Sequence, residues 1–108
     1  MPHLRIRNVS EELLVARSRI LADRLQEAIG CERSWITLDL ERSARIQDGA
    51  IARGNPIVEI AWFHRPEEIR ARVSAILSEE LKGDAEYVTA IFTELSPELY
   101  YEDGKNFA

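Results

Sequence analysis

The feature that most constrains this chain is that its two halves follow the same pattern. The segment PHLRIRNVSEE near the start corresponds to PIVEIAWFHRPEE in the middle, and WITLDLE corresponds to YVTAIFT. In this register a proline heads each half, Pro2 and Pro56, and two glutamates open each predicted helix. We interpret the chain as two pseudo-repeats, about residues 2–46 and 56–95, followed by a tail, residues 96–108.

Each pseudo-repeat reads as a strand, a helix and a second strand. Alternating apolar and polar residues predict four strands, PHLRIR, WITLDLERSARI, PIVEIAWF and YVTAIFTEL. The first helix is predicted to follow Ser10, which suits an N-cap, and to stop at Gly30. The second is predicted to carry Pro66 at its first position and to end at Lys82-Gly83. Between the repeats, QDGAIARGN is predicted to be a turn-rich connector.

A strand–helix–strand unit places its two strands parallel, with a right-handed connection. Two such units predict one α+β domain, residues 1–108, in which both helices cover one face of a four-stranded sheet. A ferredoxin-like split βαβ domain has the same order of elements, so periodicity leaves both architectures open. The proline that heads each half favours the duplicated unit.

Composition excludes several classes of protein. The net charge is −5 and the pI about 5.1, which argues against nucleic-acid binding. Cys31 is the only cysteine and the histidines are scattered, so we expect no disulfide, no metal site and no cofactor. No apolar run is long enough to span a membrane, and we expect a cytoplasmic protein without a signal peptide.

The strand residues also include carboxylates that are candidates for acid–base chemistry. On strands with a period of two we expect them instead to form ion pairs across the sheet with Arg5 or Arg7. The residues concerned are Asp39, Glu41, Glu59 and Glu94.

The chain resembles the tautomerase superfamily, which includes macrophage migration inhibitory factor and the small 4-oxalocrotonate tautomerases. Met1-Pro2, the doubled unit, and the segments HRPEE, FTELSPELYY and NFA carry the resemblance, which covers essentially the whole chain. It is closest to a bacterial-type branch with an amino-terminal proline. The resemblance implies the tautomerase (MIF-like) fold, a homotrimer, and catalysis by Pro2 after removal of Met1.

The resemblance also implies a substrate site. Arg65, in HRPEE, matches the arginine with which the small tautomerases hold a substrate carboxylate. Tyr100 falls at the aromatic wall of the pocket, and Tyr101, Asn106 and Phe107 fall in the tail region that supplies pocket residues to the cytokine-like members. The expected partner is therefore a small molecule that bears a carboxylate.

Two positions depart from the family pattern. Cys31 stands where the cytokine-like members carry a lysine, and Arg33, two residues further on, is the candidate to replace it. Thr37 and Thr89 stand nearest the strand arginine of the small tautomerases. With one cation missing, we expect a monocarboxylate substrate rather than a dicarboxylate.

The chemistry follows from the free amine of Pro2. A general base works best when its pKa lies near the operating pH, and both burial and a nearby arginine lower the pKa of an amine. We therefore predict a tautomerase in which Pro2 moves a proton on a small enol or α-keto carboxylate. Tyr100 or Tyr101 would donate a hydrogen bond to the carbonyl oxygen.

Two other functions stay open at this stage. The first is a non-catalytic homotrimer of the same fold that serves binding or assembly, with the tail reaching a neighbouring copy. The second is a ferredoxin-like regulatory domain, in which Pro2 would have no catalytic meaning. Whichever function holds, His3 and His64 are interpreted as structural, and Trp62 and Phe63 as core or interface residues.

Overall fold

The computed structural model describes all 108 residues and contains two helices and eight strands. The helices are α1 (Glu11–Ile29) and α2 (Glu67–Leu81). The long strands are β1 (His3–Arg7), β2 (Thr37–Glu41), β5 (Ile57–Trp62) and β6 (Thr89–Glu94). The short strands are β3 (Arg45–Gln47), β4 (Ala50–Ala52), β7 (Tyr101–Glu102) and β8 (Lys105–Asn106). No helix is both long and apolar enough to cross a membrane.

The four long strands form one sheet in the order β2–β1–β5–β6. Strand β1 runs parallel to β2, β5 runs parallel to β6, and the central pair β1–β5 is antiparallel. Each parallel pair is connected through a helix, as a strand–helix–strand unit requires. The predicted α+β architecture with a four-stranded sheet is therefore confirmed.

The core lies between the sheet and the two helices. The inward side chains of β1 and β5 are almost completely buried and pack against apolar residues of both helices, so the helices share one face of the sheet. The buried strand residues are Leu4, Ile6, Val58, Ile60 and Trp62. They alternate with exposed or half-buried neighbours, which is the period-two pattern of a sheet covered on one side.

The opposite face of the sheet carries charge. Arg5 pairs with Glu41 at 2.6 Å and with Glu59 at 3.6 Å. These are the cross-strand pairs that the alternation predicts. Glu94 instead pairs with His64. The prediction of cross-strand pairing therefore holds for Glu41 and Glu59 and is wrong for Glu94 and for Asp39, which forms no ion pair.

The two halves are related by an approximate twofold axis that passes between Arg5 and Glu59. These residues hold the same place in the two repeats, and they lie directly opposite each other in the β1–β5 ladder. The hydrogen bonds repeat as well, because Thr37 N donates to Pro2 O and Thr89 N donates to Pro56 O, at 3.1 and 2.9 Å. Each proline therefore anchors the start of its own βαβ unit.

The helix ends follow the sequence signals closely. Leu13 N donates to Ser10 Oγ at 3.1 Å, and Gly30 ends α1 with φ 78°, the left-handed conformation that favours glycine. Pro66 was predicted inside α2, but it is the N-cap and the helix begins at Glu67. The difference is one residue, and Pro66 still supplies the carbonyl that begins the helical hydrogen bonds.

Three segments differ from their sequence prediction. Strand β2 begins at Thr37 and not at Trp35, because Arg33–Trp35 forms a 3-10 turn. The connector between the repeats is a hairpin of β3 and β4, whose Asp48-Gly49 turn has positive φ at both residues. Strand β6 covers Thr89–Glu94, and the predicted residues on either side of it lie outside the ladder.

Within the single chain the tail folds back over the start of β1, and its contact with a neighbouring copy stays a prediction. After β6, a 3-10 turn (Pro97–Leu99) leads into the β7–β8 hairpin. Phe107 N closes the segment by donating to Pro97 O at 3.0 Å and to Tyr100 O at 3.2 Å. This fold brings the tail aromatics to the start of β1.

Candidate functional site

A cavity of about 550 Å³ opens where β1 begins. Four segments meet there: the chain start, the segment 34–37 that leads into β2, the turn after β5, and the tail. These segments are far apart in the sequence, and the antiparallel β1–β5 pairing places the end of β5 beside the start of β1. The cavity combines apolar walls with one arginine and one carboxylate.

The terminal amine lies at the wall of this cavity. Met1 lines the cavity but is only 7% exposed, and its amine donates to Trp35 O at 3.2 Å. Burial lowers the pKa of this amine below its ordinary value of 8.0; the nearby Arg65 lowers it further, while Cys31 and Glu102 oppose the shift. Pro2 is fully buried directly behind Met1.

Arg65 lines the same cavity and has no acidic partner. One of its terminal nitrogens, Nη1, donates to the carbonyls of Phe63 and His64, at 3.3 and 3.1 Å. Its guanidinium also lies 6.0 Å from the centre of the Trp62 ring. These contacts hold the side chain in place but leave its charge unpaired. Arg65 can therefore bind an anion in the cavity.

A chain of hydrogen bonds runs from β2 to the tail through His3. His3 Nδ1 lies 2.7 Å from Thr37 Oγ1, and His3 Nε2 lies 2.7 Å from the Tyr100 hydroxyl. The Tyr100 hydroxyl donates to Glu102 Oε2 at 2.8 Å. His3, Thr37 and Glu102 all line the cavity, and Tyr100 lies behind them. The chain ties the tail to the first strand of the fold.

Tyr100 is held on three sides by aromatic rings. Its ring meets Phe63 and Phe107 edge-on, with centroids 5.5 and 5.0 Å away, and lies against His3 at 6.0 Å. Burial, together with the hydrogen bond to Glu102, raises the pKa of Tyr100 to about 12. The phenol therefore keeps its proton and acts as a hydrogen-bond donor at any physiological pH.

The structure places the residues predicted from the sequence differently. Arg65 lines the cavity, Pro2 is buried next in the chain to Met1, and Tyr100 reaches the cavity only through its bond to His3. Arg33 points elsewhere and pairs with Asp23 at 2.7 Å.

The two remaining tail residues also lie away from the cavity. Tyr101 is 59% exposed, and Asn106 lies opposite it in the tail hairpin. In the single chain, Arg33, Tyr101 and Asn106 therefore do not face the cavity.

Apart from Met1, six cavity residues were not predicted as site residues from the sequence: His3, Ser34, Trp35, Thr37, Phe63 and Glu102. One signal for His3 was available, because alternation places it on the solvent side of β1 immediately after Pro2. Its partner Tyr100 lies 97 positions further along the chain, so no local pattern reveals the pair. Trp62, by contrast, is a fully buried core residue as expected.

A larger cavity, of about 700 Å³, lies at the other end of the molecule between the β3–β4 hairpin and the helix ends. Its Arg42 and Arg53 already pair with Glu11 and Asp84. Arg45 and Lys82, which form no ion pair, also line this cavity. The smaller cavity is the better candidate because it combines an unpaired arginine with the first residue of the chain. No group of three or more His, Cys, Asp or Glu side chains could hold a metal ion.

Comparison with solved structures identifies the fold. A protein from Sebaldella termitidis with a domain of unknown function (DUF1904) is 32% identical, with a TM-score of 0.92 over 99% of this chain and 100% of that one. The macrophage migration inhibitory factor-like protein of Entamoeba histolytica is 20% identical, with a TM-score of 0.65 over 98% of each chain. A fused 4-OT that forms an asymmetric trimer is 16% identical, with a TM-score of 0.76 over 96% of this chain and 94% of that one.

The last two likenesses show the fold alone, and they confirm the tautomerase (MIF-like) fold that the sequence implied. No curated protein matches the chain. The family model of the domain of unknown function DUF1904 matches residues 1–106, almost the whole chain. The chain is therefore a member of the DUF1904 family, built on the fold of the tautomerases.

Proposed function

We propose that this protein is a tautomerase that uses the amine of Pro2 as general base and acid on a small enol or α-keto carboxylate. One observation carries the proposal: the chain start and the unpaired Arg65 lie on the walls of one cavity. Proton transfer beside a carboxylate needs a base and a carboxylate anchor in the same cavity.

Met1 has to be removed for Pro2 to act. While Met1 is present, the Pro2 nitrogen is an amide and has no basic lone pair. Pro2 is small enough for the initiator methionine to be trimmed. Met1 lines the cavity and Pro2 is the next residue in the chain, so removal of Met1 would open the proline nitrogen towards the cavity. The new terminus is a secondary amine at the start of β1.

The surroundings favour the neutral, basic form of a terminal amine. For the Met1 amine, burial is the main cause of a lowered pKa, and Arg65 acts in the same direction. The Pro2 amine would lie deeper at the same wall, so the same causes act on it. A neutral amine takes a proton from the carbon next to a keto group and gives it to the oxygen of the resulting enolate, as tautomerisation requires.

Arg65 and Tyr100 complete the proposed site. The guanidinium of Arg65 binds the substrate carboxylate through its unpaired N–H groups. The hydroxyl of Tyr100 keeps its proton and donates it to Glu102, so Tyr100 supports the wall of the site through Glu102. Tyr101 is exposed and does not line the cavity, so of the two tail tyrosines only Tyr100 belongs to the proposed site.

The first test concerns the amine and needs no substrate. The untagged protein is labelled with a small amine-reactive electrophile across a range of pH, and the modified site is read by mass spectrometry. We expect a chain that begins at Pro2 and a labelling midpoint below about 7.7–8.0, the range of an ordinary terminal amine. A retained Met1, or a midpoint at or above that range, would contradict the proposal.

A second candidate function is a non-catalytic homotrimer for binding or assembly. The β3–β4 hairpin supports it, because Ile46 and Ile51 lie opposite each other there and are 66% and 77% exposed. The fused 4-OT of the same fold is a trimer. In such a trimer the exposed Tyr101, with Arg33 and Asn106, would be available to a site shared with a neighbouring copy.

The two candidates differ in what Pro2 does. If Pro2→Ala abolishes exchange of α-keto acid protons while light scattering shows the same oligomer, the enzyme is favoured. If the wild-type protein forms a trimer but exchanges no such protons above the buffer rate, the assembly function is favoured.

A further inference from the structure

The cavity contains an acceptor as well as a cation. Glu102 lines it together with Arg65, and the two side chains form no ion pair with each other. One Glu102 oxygen, Oε2, accepts from the Tyr100 hydroxyl, while the other, Oε1, has no hydrogen-bond donor in the structure. The site therefore presents a free guanidinium and a free carboxylate oxygen to one ligand.

The hydrogen-bond chain through Tyr100 and His3 makes Glu102 an acceptor. A phenol has one proton, and Tyr100 gives it to Glu102, so the Tyr100 oxygen can only accept from His3. His3 must then carry its proton on Nε2, and in the neutral ring Nδ1 accepts from the Thr37 hydroxyl. This assignment is inferred from the network. It holds Glu102 as a carboxylate acceptor and leaves Oε1 for a ligand.

The walls between the two charged groups are apolar. Trp35, Phe63 and Phe107 line the cavity together with Arg65 and Glu102. Glu102 is exposed in the free protein. A ligand with one carboxylate would satisfy Arg65 but would displace water from Glu102 without replacing its hydrogen bonds, which costs free energy. A dicarboxylate would bring its second charge towards Glu102, and like charges repel.

From these contacts we infer that the ligand of this cavity is a small carboxylate that carries an ammonium group at its other end, with Glu102 as the specificity-determining residue. His3 and Tyr100 are positioning residues that hold the Glu102 side chain. The inference rests on the proposed role of Arg65 in the tautomerase site and narrows its substrate class.

Binding of matched probes to the full-length protein tests the inference. Straight-chain ω-amino carboxylates are compared with unsubstituted carboxylates of the same chain length by calorimetry. We expect the best ω-amino carboxylate to bind at least about tenfold more tightly than its unsubstituted counterpart, as one charge-assisted hydrogen bond allows. Glu102→Gln should remove this preference, because its amide can still accept from Tyr100 but no longer attracts an ammonium group.

The matched control is Glu98→Gln in the same tail. Glu98 is exposed, contacts Ser96 and does not line the cavity, so the preference should remain about tenfold. Arg65→Gln should weaken both probes by the same factor, since both present a carboxylate.

The positioning residues are tested by the ratio of the two affinities. Tyr100→Phe should lower the ratio without changing the affinity of the unsubstituted carboxylate. His3→Gln, whose amide can replace the Nε2–H donor, should keep more of the ratio than His3→Ala. A merely structural role would not move the ratio, because partial unfolding lowers the binding of both probes equally.

Three results would overturn the inference: equal affinity of the two probes, an unchanged preference in Glu102→Gln, or no binding of any probe at millimolar concentration. None of these results depends on the amine. The proposed function fails separately, if the terminal amine labels with an ordinary midpoint.

Discussion

The two ends of the sheet are built alike but hold different groups. At the start of β1, Met1, His3, Trp35 and Thr37 line the cavity that contains Arg65 and Glu102. At the start of β5, the corresponding residues of the second repeat line a smaller cavity, of about 200 Å³. Those residues are Asn55, Ile57, Tyr87 and Thr89. The same backbone frame therefore supports two cavities.

The two ends have matching strands but differ in their position in the chain: Pro2 follows the first residue, and Pro56 lies in mid-chain. Under the proposed function, removal of Met1 gives Pro2 a free amine, whereas Pro56 follows Asn55 in the chain and has none. At the second end, Asn8 Nδ2 donates to Asn55 O at 3.1 Å. Matching strands therefore place a proline at each end, but only the proline at the first end is proposed to act as a base.

The largest expected difference between the two ends concerns their prolines. Pro2→Ala replaces the secondary amine, so deuterium exchange at the α-carbon of α-keto acids should fall by about 100-fold or more, the usual contribution of a general base. Pro56→Ala is the matched control and should keep exchange within about twofold, because no amine exists there. Proton NMR in D₂O measures both, with circular dichroism to check the fold. Equal losses in the two variants would show that the prolines act only on structure.

A smaller effect is expected from the cations at the two ends. Arg65→Gln should weaken carboxylate binding by about 10- to 100-fold, because a charge-assisted hydrogen bond is worth about 1.5–3 kcal/mol. It should also raise the labelling midpoint of the terminal amine, since the positive charge of Arg65 lowers the pKa there.

Arg45→Gln is the control for the Arg65 variant. Arg45 has no ion-pair partner and lines the cavity at the second end, so its loss should change neither the affinity nor the midpoint. If both variants bound the carboxylate equally weakly, Arg65 would act only through the net charge of the protein.

The smallest expected effect is on stability and concerns Gly54 at the second end. A Cβ on Gly54 would come within 2.6 Å of Asn8 Nδ2, and the displaced amide would lose its bond to Asn55 O. Gly54→Ala should therefore lower the free energy of unfolding by about 1 kcal/mol, measured by urea denaturation. In an Asn8→Gly background the same substitution should cost almost nothing. An equal cost in both backgrounds would contradict this account.

Much of the fold follows from local sequence signals. Ser10 and Gly30 bound α1 as predicted, and the alternation of β1 and β5 places Leu4 and Ile60 in the core. Errors occur where a short segment has two local solutions. Trp35 continues the β2 pattern in sequence, but Arg33–Trp35 closes a 3-10 turn that leads out of α1.

The candidate site was less predictable than the fold. Tyr100 and Tyr101 are adjacent in the sequence, yet the tail hairpin turns the first towards His3 and leaves the second exposed. Arg33 was a candidate because of its place after α1, but it forms an ion pair with Asp23 of that helix. Neither outcome is visible in a pattern of residue types, because each depends on which partner is close in space.

The sequence by itself determined the two βαβ units, their caps, their buried faces and the proline at each start. These features depend on interactions among residues close together in the chain, which the order of residue types specifies. Only the tertiary structure decided that His3, Arg65, Tyr100 and Glu102 surround one cavity. Their meeting depends on the antiparallel β1–β5 pairing and on the fold of the tail over β1, which are contacts between distant segments.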